Sequence, residues 1–458
     1  MPWSVDESKL GQMFSELGGA ASIALMRIGN AYFRSTSLPG SRAASHPYGE
    51  YVMKTATLLT FMLAAATPLT ASANVITDWD DIAVKTIQPP GPVPPVSVDL
   101  TFRASALVEV AMFNAVDCIE PKYHPYGMQV EPSPDTSQDA AAATAAAMVL
   151  IKLVPNSNVK QQLADYLAKI PDGPAKDRGI KVGQDAAAKT IEMREKDGAN
   201  ARNAYRPITE PGKYTITAST VGYWATEAKP FVLNNAEQFR PGPPPDLKSD
   251  TWARDYNEIK EIGEKYSTKR TPQQTETARL WLAAGPIGYN PWVRQIAIAK
   301  NMSVIDTARF MALVTLAEAD AIQSVFAAKW HYLFWRPMTA IRNGDIDGNA
   351  ATERDATWEP LDTTPLHPEY PCAHCILSGA VTTVIQKVIG SADIPEVSIN
   401  SPTAPGVVHK FTNVNAIADE IALARIYAGF HYRNSTEVGR AMGQKIGDYE
   451  VTNALQPM

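Results

Sequence analysis

Three short segments in the last third of this 458-residue chain hold side chains that could bind an anion and move a proton. The first runs Lys329-Trp-His-Tyr-Leu-Phe-Trp-Arg336-Pro337. A lysine and an arginine seven positions apart are two helical turns apart, so on a continuous helix both project from one face. Burying two cations among Trp330, Phe334 and Trp335 is costly unless an anion neutralises them; otherwise both must snorkel over the aromatics to solvent. The second segment is Pro371-Cys372-Ala373-His374-Cys375, followed by the apolar run Ile376 to Ile389. A proline-led turn entering a helix points free N–H groups at whatever lies in front of it, which favours an anion. No second Cys-x-x-Cys completes a zinc site, and no βαβ pattern supports thioredoxin-like chemistry. The third segment is Arg425-Ile-Tyr-Ala-Gly-Phe-His431. On one straight helix Arg425 and His431 would stand about 120° apart around the axis. Gly429 offers a break, and Asn434 with Glu437 has the form of a capping box, so a new helix is expected near Ser435 with His431 in the junction.

Singly, each segment has an ordinary structural explanation: snorkelling cations, a core histidine, a helix end with a surface histidine. Together they supply three cations, a helix N-terminus and two histidines, the inventory that holds a tetrahedral oxyanion. Arginines fork onto its oxygens, lysine adds a point charge and backbone N–H groups complete the cradle. One histidine can bond the central atom while the other transfers protons.

This ordered pattern resembles the vanadium-dependent haloperoxidases and the related acid and lipid phosphatases of the type 2 phosphatidic acid phosphatase superfamily. Their shared order is Lys-x6-Arg-Pro, then Pro-Ser-Gly-His, then Arg-x5-His. Lys329 with Arg336-Pro337 matches the first and Arg425 with His431 the third. Pro371 and His374 match the second, with Cys372 in place of serine and Ala373 in place of glycine. The aromatic surroundings and the Gln238-Phe-Arg-Pro241 stretch are similar to the bacterial chloroperoxidase-like branch. The resemblance implies an all-α helical fold with vanadate bonded to His431. Lys329, Arg336 and Arg425 would neutralise its oxygens, with Cys372 and Ala373 contributing, and His374 would be the acid–base group. It implies hydrogen peroxide, a halide and an organic acceptor as substrates. His367 is similar to the residue of bromide-oxidising members, where chloride-oxidising ones tend to carry phenylalanine. Phosphate could occupy the same place. The same residues would then serve an acid phosphatase working through a phosphohistidine at His431, or a member that binds the oxyanion without turnover. Near these cations a Cys372 thiol would be acidified and exposed to peroxide; a Cys372–Cys375 disulfide would prevent that and remove the donor.

The elements that must position these residues read as helices. Apolar residues at helical spacing recur over 104–118, an alanine-dominated run covers 139–154, and further helical stretches follow through 454, with strand signals nearly absent. The Thr-, Tyr- and Pro-rich region 201–248 interrupts them and reads as an ordered surface excursion. A net charge of −6 advertises no nucleic-acid partner. Residues 53–73, with the apolar run 58–66 and a terminal Ala71-Ser72-Ala73, have the shape of an export signal, which implies a periplasmic or secreted protein. Residues 1–52 would be an upstream extension, and 74–458 a single all-α domain with the oxyanion site in 329–431. No later run is read as spanning a bilayer, so no stable membrane insertion is expected.

Overall fold

Small residues set the geometry of this protein. The computed structural model describes residues 73–89, 95–127, 134–216 and 220–458. Of the expected export signal only Ala73 falls among them, and the extension 1–52 lies outside the described residues. Among the described residues five helices come first: α1 (Val75–Ile87), α2 (Thr101–Asp117), α3 (Gln138–Leu153), α4 (Val159–Leu167) and α5 (Pro174–Arg194). The Ser137 side chain caps α3 by accepting from the Ala140 N–H. The alanines of α3 let α5 approach so closely that a Cβ on Gly179 would stand 2.8 Å from that of Ala140.

Eight helices follow: α6 (Asp250–Ile262), α7 (Pro272–Leu280), α8 (Asn290–Ala299), α9 (Val304–Tyr332), α10 (Pro337–Arg342), α11 (Ala373–Ile389), α12 (Val414–Tyr427) and α13 (Arg433–Asn453). Helix α7 opens with a Thr271–Gln274 capping box and Pro272 in its first turn. Helix α11, which carries His374 in its first turn, lies against α13, whose Gly439, Gly443 and Gly447 recur every fourth residue and face it. A Cβ on Gly443 would overlap the Ile376 carbonyl oxygen, and backbone cannot yield as a flexible side chain does. Gly443→Ala is therefore expected to destabilise the protein by about 3 kcal/mol, more than the gain of about 1 kcal/mol in helix propensity. Chemical denaturation of the two proteins measures this.

Helix α9 is the axis. It is long and apolar enough to cross a membrane by length and composition, yet its apolar window is wholly buried inside the protein, and Glu318, Asp320 and Lys329 are buried within it. Burial, and then the charge of Asp80, holds the Glu318 carboxyl well above the ordinary glutamate range. The folded state thus keeps a proton that the unfolded state releases, and stability falls as pH rises above the unfolded value, by about 1.4 kcal/mol per pH unit for one such group. Glu318→Gln is expected to remove that slope. Its stability relative to the parent should rise between pH 5 and 8, as ~1.4 kcal/mol per unit, in denaturation series at several pH values.

The described residues are mostly helical, as expected, with local departures. A hairpin, β1 (Asp393–Ile399) and β2 (His409–Asn413), interrupts the helices. Pro395 argues against a strand, but here the register shifts between Asp393 and Val397, so the proline sits in an irregularity. Lys329 and Arg336 do not share a helix: α9 stops at Tyr332, Leu333 takes a left-handed φ of +54°, and Arg336 is the extended residue before α10. Pro337 is the reason, since it disfavours helical geometry in the residue before it and supplies the first residue of the next helix. Helix α13 starts at Arg433, two residues before the expected Ser435, with Tyr432 at its cap and no side-chain capping bond; the Asn434 N–H donates instead to Asp255.

The 201–248 excursion is more deeply built in than a surface loop. Tyr205, Tyr214 and Tyr223 pack around Trp330, and Tyr214 and Trp224 are buried. Two carboxylates tether it. Asp320 accepts from the N–H groups of Phe231, Val232 and Leu233, and Asp99 from the Gly222 N–H and the Trp224 indole.

Candidate oxyanion site

Neither cation of the first motif snorkels. Lys329 is 0% and Arg336 1% exposed. From the last full turn of α9, Lys329 donates to the carbonyls of Pro368 and Glu369 at 3.0 and 2.6 Å. Arg336 donates through Nε to the His367 carbonyl at 2.8 Å and through Nη1 to that of Phe430 at 3.0 Å. Two neighbouring carbonyls of the α10–α11 loop thus fix Lys329, while Arg336 joins that loop to the α12–α13 junction, which explains how residues on separate elements still meet. Arg425, at the end of α12, donates to the Trp281 carbonyl at 2.7 Å and stacks on Phe430, while its buried Nε has no hydrogen-bond partner.

His431 lies in the α12–α13 junction, as the break at Gly429 (φ +78°) predicts. A side chain on Gly429 would also strike Pro360, at 2.9 Å. The Nδ1 of His431 is 2.8 Å from Glu369 Oε1, and its Nε2 is 3.4 Å from Arg336 Nη1. A carboxylate acceptor on one side and a guanidinium donor on the other assign the proton to Nδ1 and leave the Nε2 lone pair available. Burial first, and then Arg336 and Lys329, hold His431 well below the ordinary histidine range, so the ring is neutral. Glu369 is fully buried and is pushed up to about 7 by burial, against the pull of Lys329 and Arg336. Sequence reasoning missed Glu369. It lies inside the His367-to-Cys375 run, and its only signal was a carboxylate between two prolines.

Across the site, His374 occupies the first turn of α11. Its Nε2 is 3.3 Å from the Ala283 carbonyl, and the Tyr289 hydroxyl donates to its backbone carbonyl at 3.2 Å. Burial, then Arg425, holds its ring well below the ordinary range, so it too is neutral. Ala373 is the first residue of the helix, where N–H groups lack intrahelical partners. The contribution expected of Cys372 is corrected: it forms a disulfide with Cys375, is fully buried, and its sulfur accepts from the Cys375 N–H. A disulfide sulfur has no proton to donate, so the donor that serine provides in the family pattern is missing here. His367 is wedged in place, with Nδ1 3.0 Å from Arg336 Nη2 and its ring edge-on to Phe326.

His367, Ala373, His374, Arg425 and His431 line one cavity of about 430 Å³. Lys329 and Arg336 stand behind this lining, tied to it through the His367, Pro368, Glu369 and Phe430 carbonyls. Three basic side chains thus surround one fully buried carboxylate, Glu369, while Asp99 and Asp362 lie farther out along the cavity. The unmatched charge, the orphaned Arg425 Nε and the two neutral histidines fit a tetrahedral oxyanion such as vanadate or phosphate.

Comparison with known proteins bears on the fold that carries these residues. Residues 309–458 match the VCPO second helical-bundle domain. The vanadium chloroperoxidase of Curvularia inaequalis is 26% identical over 235 residues, a match that spans 38% of this chain and 38% of that relative's length. Among solved structures, a bacterial vanadium-dependent iodoperoxidase superposes with a TM-score of 0.71 at 23% identity, covering 84% of this chain and 98% of that one. The holo form of a bacterial vanadium-dependent chloroperoxidase superposes with a TM-score of 0.66 at 16% identity, covering 83% and 97%. Residues 309–458 are thus similar to the VCPO second helical-bundle domain, and the chain shares the fold of the solved bacterial vanadium haloperoxidases.

Proposed function

We propose that this protein is a vanadate-dependent haloperoxidase that oxidises a halide, bromide in preference to chloride, with hydrogen peroxide. The observation that carries the reading is the buried cluster of basic side chains around a neutral His431 whose Nε2 is kept unprotonated by the Glu369 contact at Nδ1. Lys329, Arg336 and Arg425 would hold the vanadate oxygens, with the Ala373 N–H, and His431 Nε2 would bond the vanadium. Bound vanadate supplies a Lewis-acidic centre that activates peroxide for two-electron transfer without changing its own oxidation state.

The chain's own groups supply charge and proton control. Burial lowers the proton affinity of Lys329, followed by the charge of Arg336, so an anion bound beside them favours the protonated lysine. Neutral His374 can take a proton from an incoming acid and return it to a departing oxygen. His367 is kept neutral by burial and by Arg336, so it adds no further positive charge where a halide would pass the guanidinium. The solved relatives include both an iodoperoxidase and a chloroperoxidase, so the fold does not choose the halide and local residues such as His367 must. We also propose export to an oxidising compartment, which the Cys372–Cys375 disulfide supports.

The test is a paired assay. Protein loaded with orthovanadate should oxidise bromide with peroxide, faster than chloride. Vanadate-free protein should show little hydrolysis of a phosphate ester. Phosphatase activity without bromide oxidation would select the phosphohistidine reading, and oxyanion binding with neither activity would select a non-catalytic member.

A further inference from the structure

The cavity over the site is larger and less polar than a halide and peroxide need. At about 430 Å³ it matches pockets that enclose organic ligands. Its walls include Phe102, Val221, Ile322, Phe326, Leu377 and Phe430. Three of these aromatic rings are built onto the site itself. Phe326 packs edge-on against His367, 5.0 Å between ring centres; Phe102 packs edge-on against Tyr289, whose hydroxyl holds the His374 carbonyl; and Phe430 stacks under the Arg425 guanidinium at 4.9 Å. The excursion completes the wall: a Cβ on Gly222 would collide with the Phe326 ring, and the Val221 N–H donates to the Leu366 carbonyl at 3.2 Å. Exposed Asp362, Thr363 and Leu366 mark the mouth, and the Asp362 carboxylate there disfavours an anionic guest.

We infer that this cavity binds a neutral, electron-rich aromatic acceptor and that the halogen is transferred to it inside the cavity. The inference rests on the haloperoxidase reading. Edge-to-face walls favour an aromatic guest, and an electron-rich ring is what an electrophilic halogen attacks. With bromide the balance is one bromide, one hydrogen peroxide, one proton and one arene C–H giving one C–Br bond and two waters. Bromide gives up two electrons, the peroxide O–O bond accepts them and breaks, and the ring proton leaves to water. Acceptor bound in place sees one orientation of the reactive site, so product position is set by the wall and not by the ring's intrinsic reactivity.

1-Naphthol is the probe. Calorimetry with vanadate-free protein is expected to show saturable one-to-one binding, at least about ten-fold weaker in Val221→Trp, which fills the cavity from the excursion side. Ile322→Phe, from the α9 side, should weaken it in the same direction if Val221→Trp does not fold. In the vanadate-loaded protein, with bromide and peroxide, the ortho-to-para ratio of bromonaphthols should differ from that given by reagent hypobromous acid, and move toward it in the variants. Bromide oxidation without naphthol binding, or with the reagent ratio, overturns the inference and leaves the haloperoxidase reading standing. Naphthol binding without bromide oxidation supports the apolar-acceptor site and overturns the haloperoxidase reading instead.

Discussion

Replacing His431 with alanine is expected to abolish vanadate-dependent bromide oxidation, a loss on the order of a thousand-fold or more, because no other side chain of the site offers a free ring nitrogen at that position. Phosphate-ester hydrolysis, if any is present, should vanish with it, so this variant tests the site and not the choice of reaction. Glu369→Gln gives a graded companion. Glu369 accepts from His431 Nδ1 at 2.8 Å and also from the Tyr432 N–H at 3.1 Å, so it sets both the tautomer and the junction that carries the ring. Glutamine retains an acceptor oxygen but not the charge. A loss of about 10- to 100-fold is expected in activity, as for other groups that orient a ligating histidine. Glu369→Ala, which keeps no acceptor, should lose more than Glu369→Gln. Calorimetric binding of phosphate supplies a readout independent of turnover. Removing the Glu369 carboxylate leaves the cations less compensated, so phosphate should bind at least as tightly to Glu369→Gln as to the parent even while turnover falls. A purely structural defect would weaken both.

How much of this site could be read from residues alone depended on which property each residue contributes. Charge and spacing were legible: Lys329, Arg336, Arg425, His374 and His431 converge as their order suggested. The route by which they converge was not. Lys329 and Arg336 were placed on one helix, whereas Leu333 breaks it in a left-handed conformation that a leucine does not announce. Pro337 carried the better warning. Gly429 showed where α12 would end, but a tertiary partner, Asp255, decided where α13 begins and overrode the local capping pattern. Glu369 was hidden because a single carboxylate has no periodicity, and its meaning lies in a partner 62 residues away. The aromatic wall of the cavity was hidden for a similar reason, since Phe102, Phe326 and Phe430 sit on α2, on α9 and beside the α12–α13 junction and are joined only by folding. Helices driven by alanine and apolar periodicity were legible nearly to their ends, because that signal is local.

The tether at Asp320 is where fold and site depend on each other most. Its carboxylate is fully buried in α9 and accepts from three consecutive N–H groups, at 2.6, 2.8 and 2.9 Å from Phe231, Val232 and Leu233. Asp320→Ala would leave all three donors without this acceptor, the Leu233 N–H in a buried place, and a cost of about 3 kcal/mol is expected. Asp320→Asn keeps one acceptor oxygen and should cost less. Glu450, which burial and then the charge of Asp320 hold protonated, would be relieved of that charge, offsetting part of the loss above neutral pH in both variants. Because these N–H groups belong to the excursion that places Val221 and Gly222 against the cavity, the damage should be local before it is global. Limited proteolysis is expected to cut the variant within 201–248 under conditions where the parent resists, and 1-naphthol affinity should fall before phosphate affinity does. Equal losses of both ligands, with no preferential cleavage in the excursion, would show that Asp320 supports the helical body as a whole and not the wall it tethers.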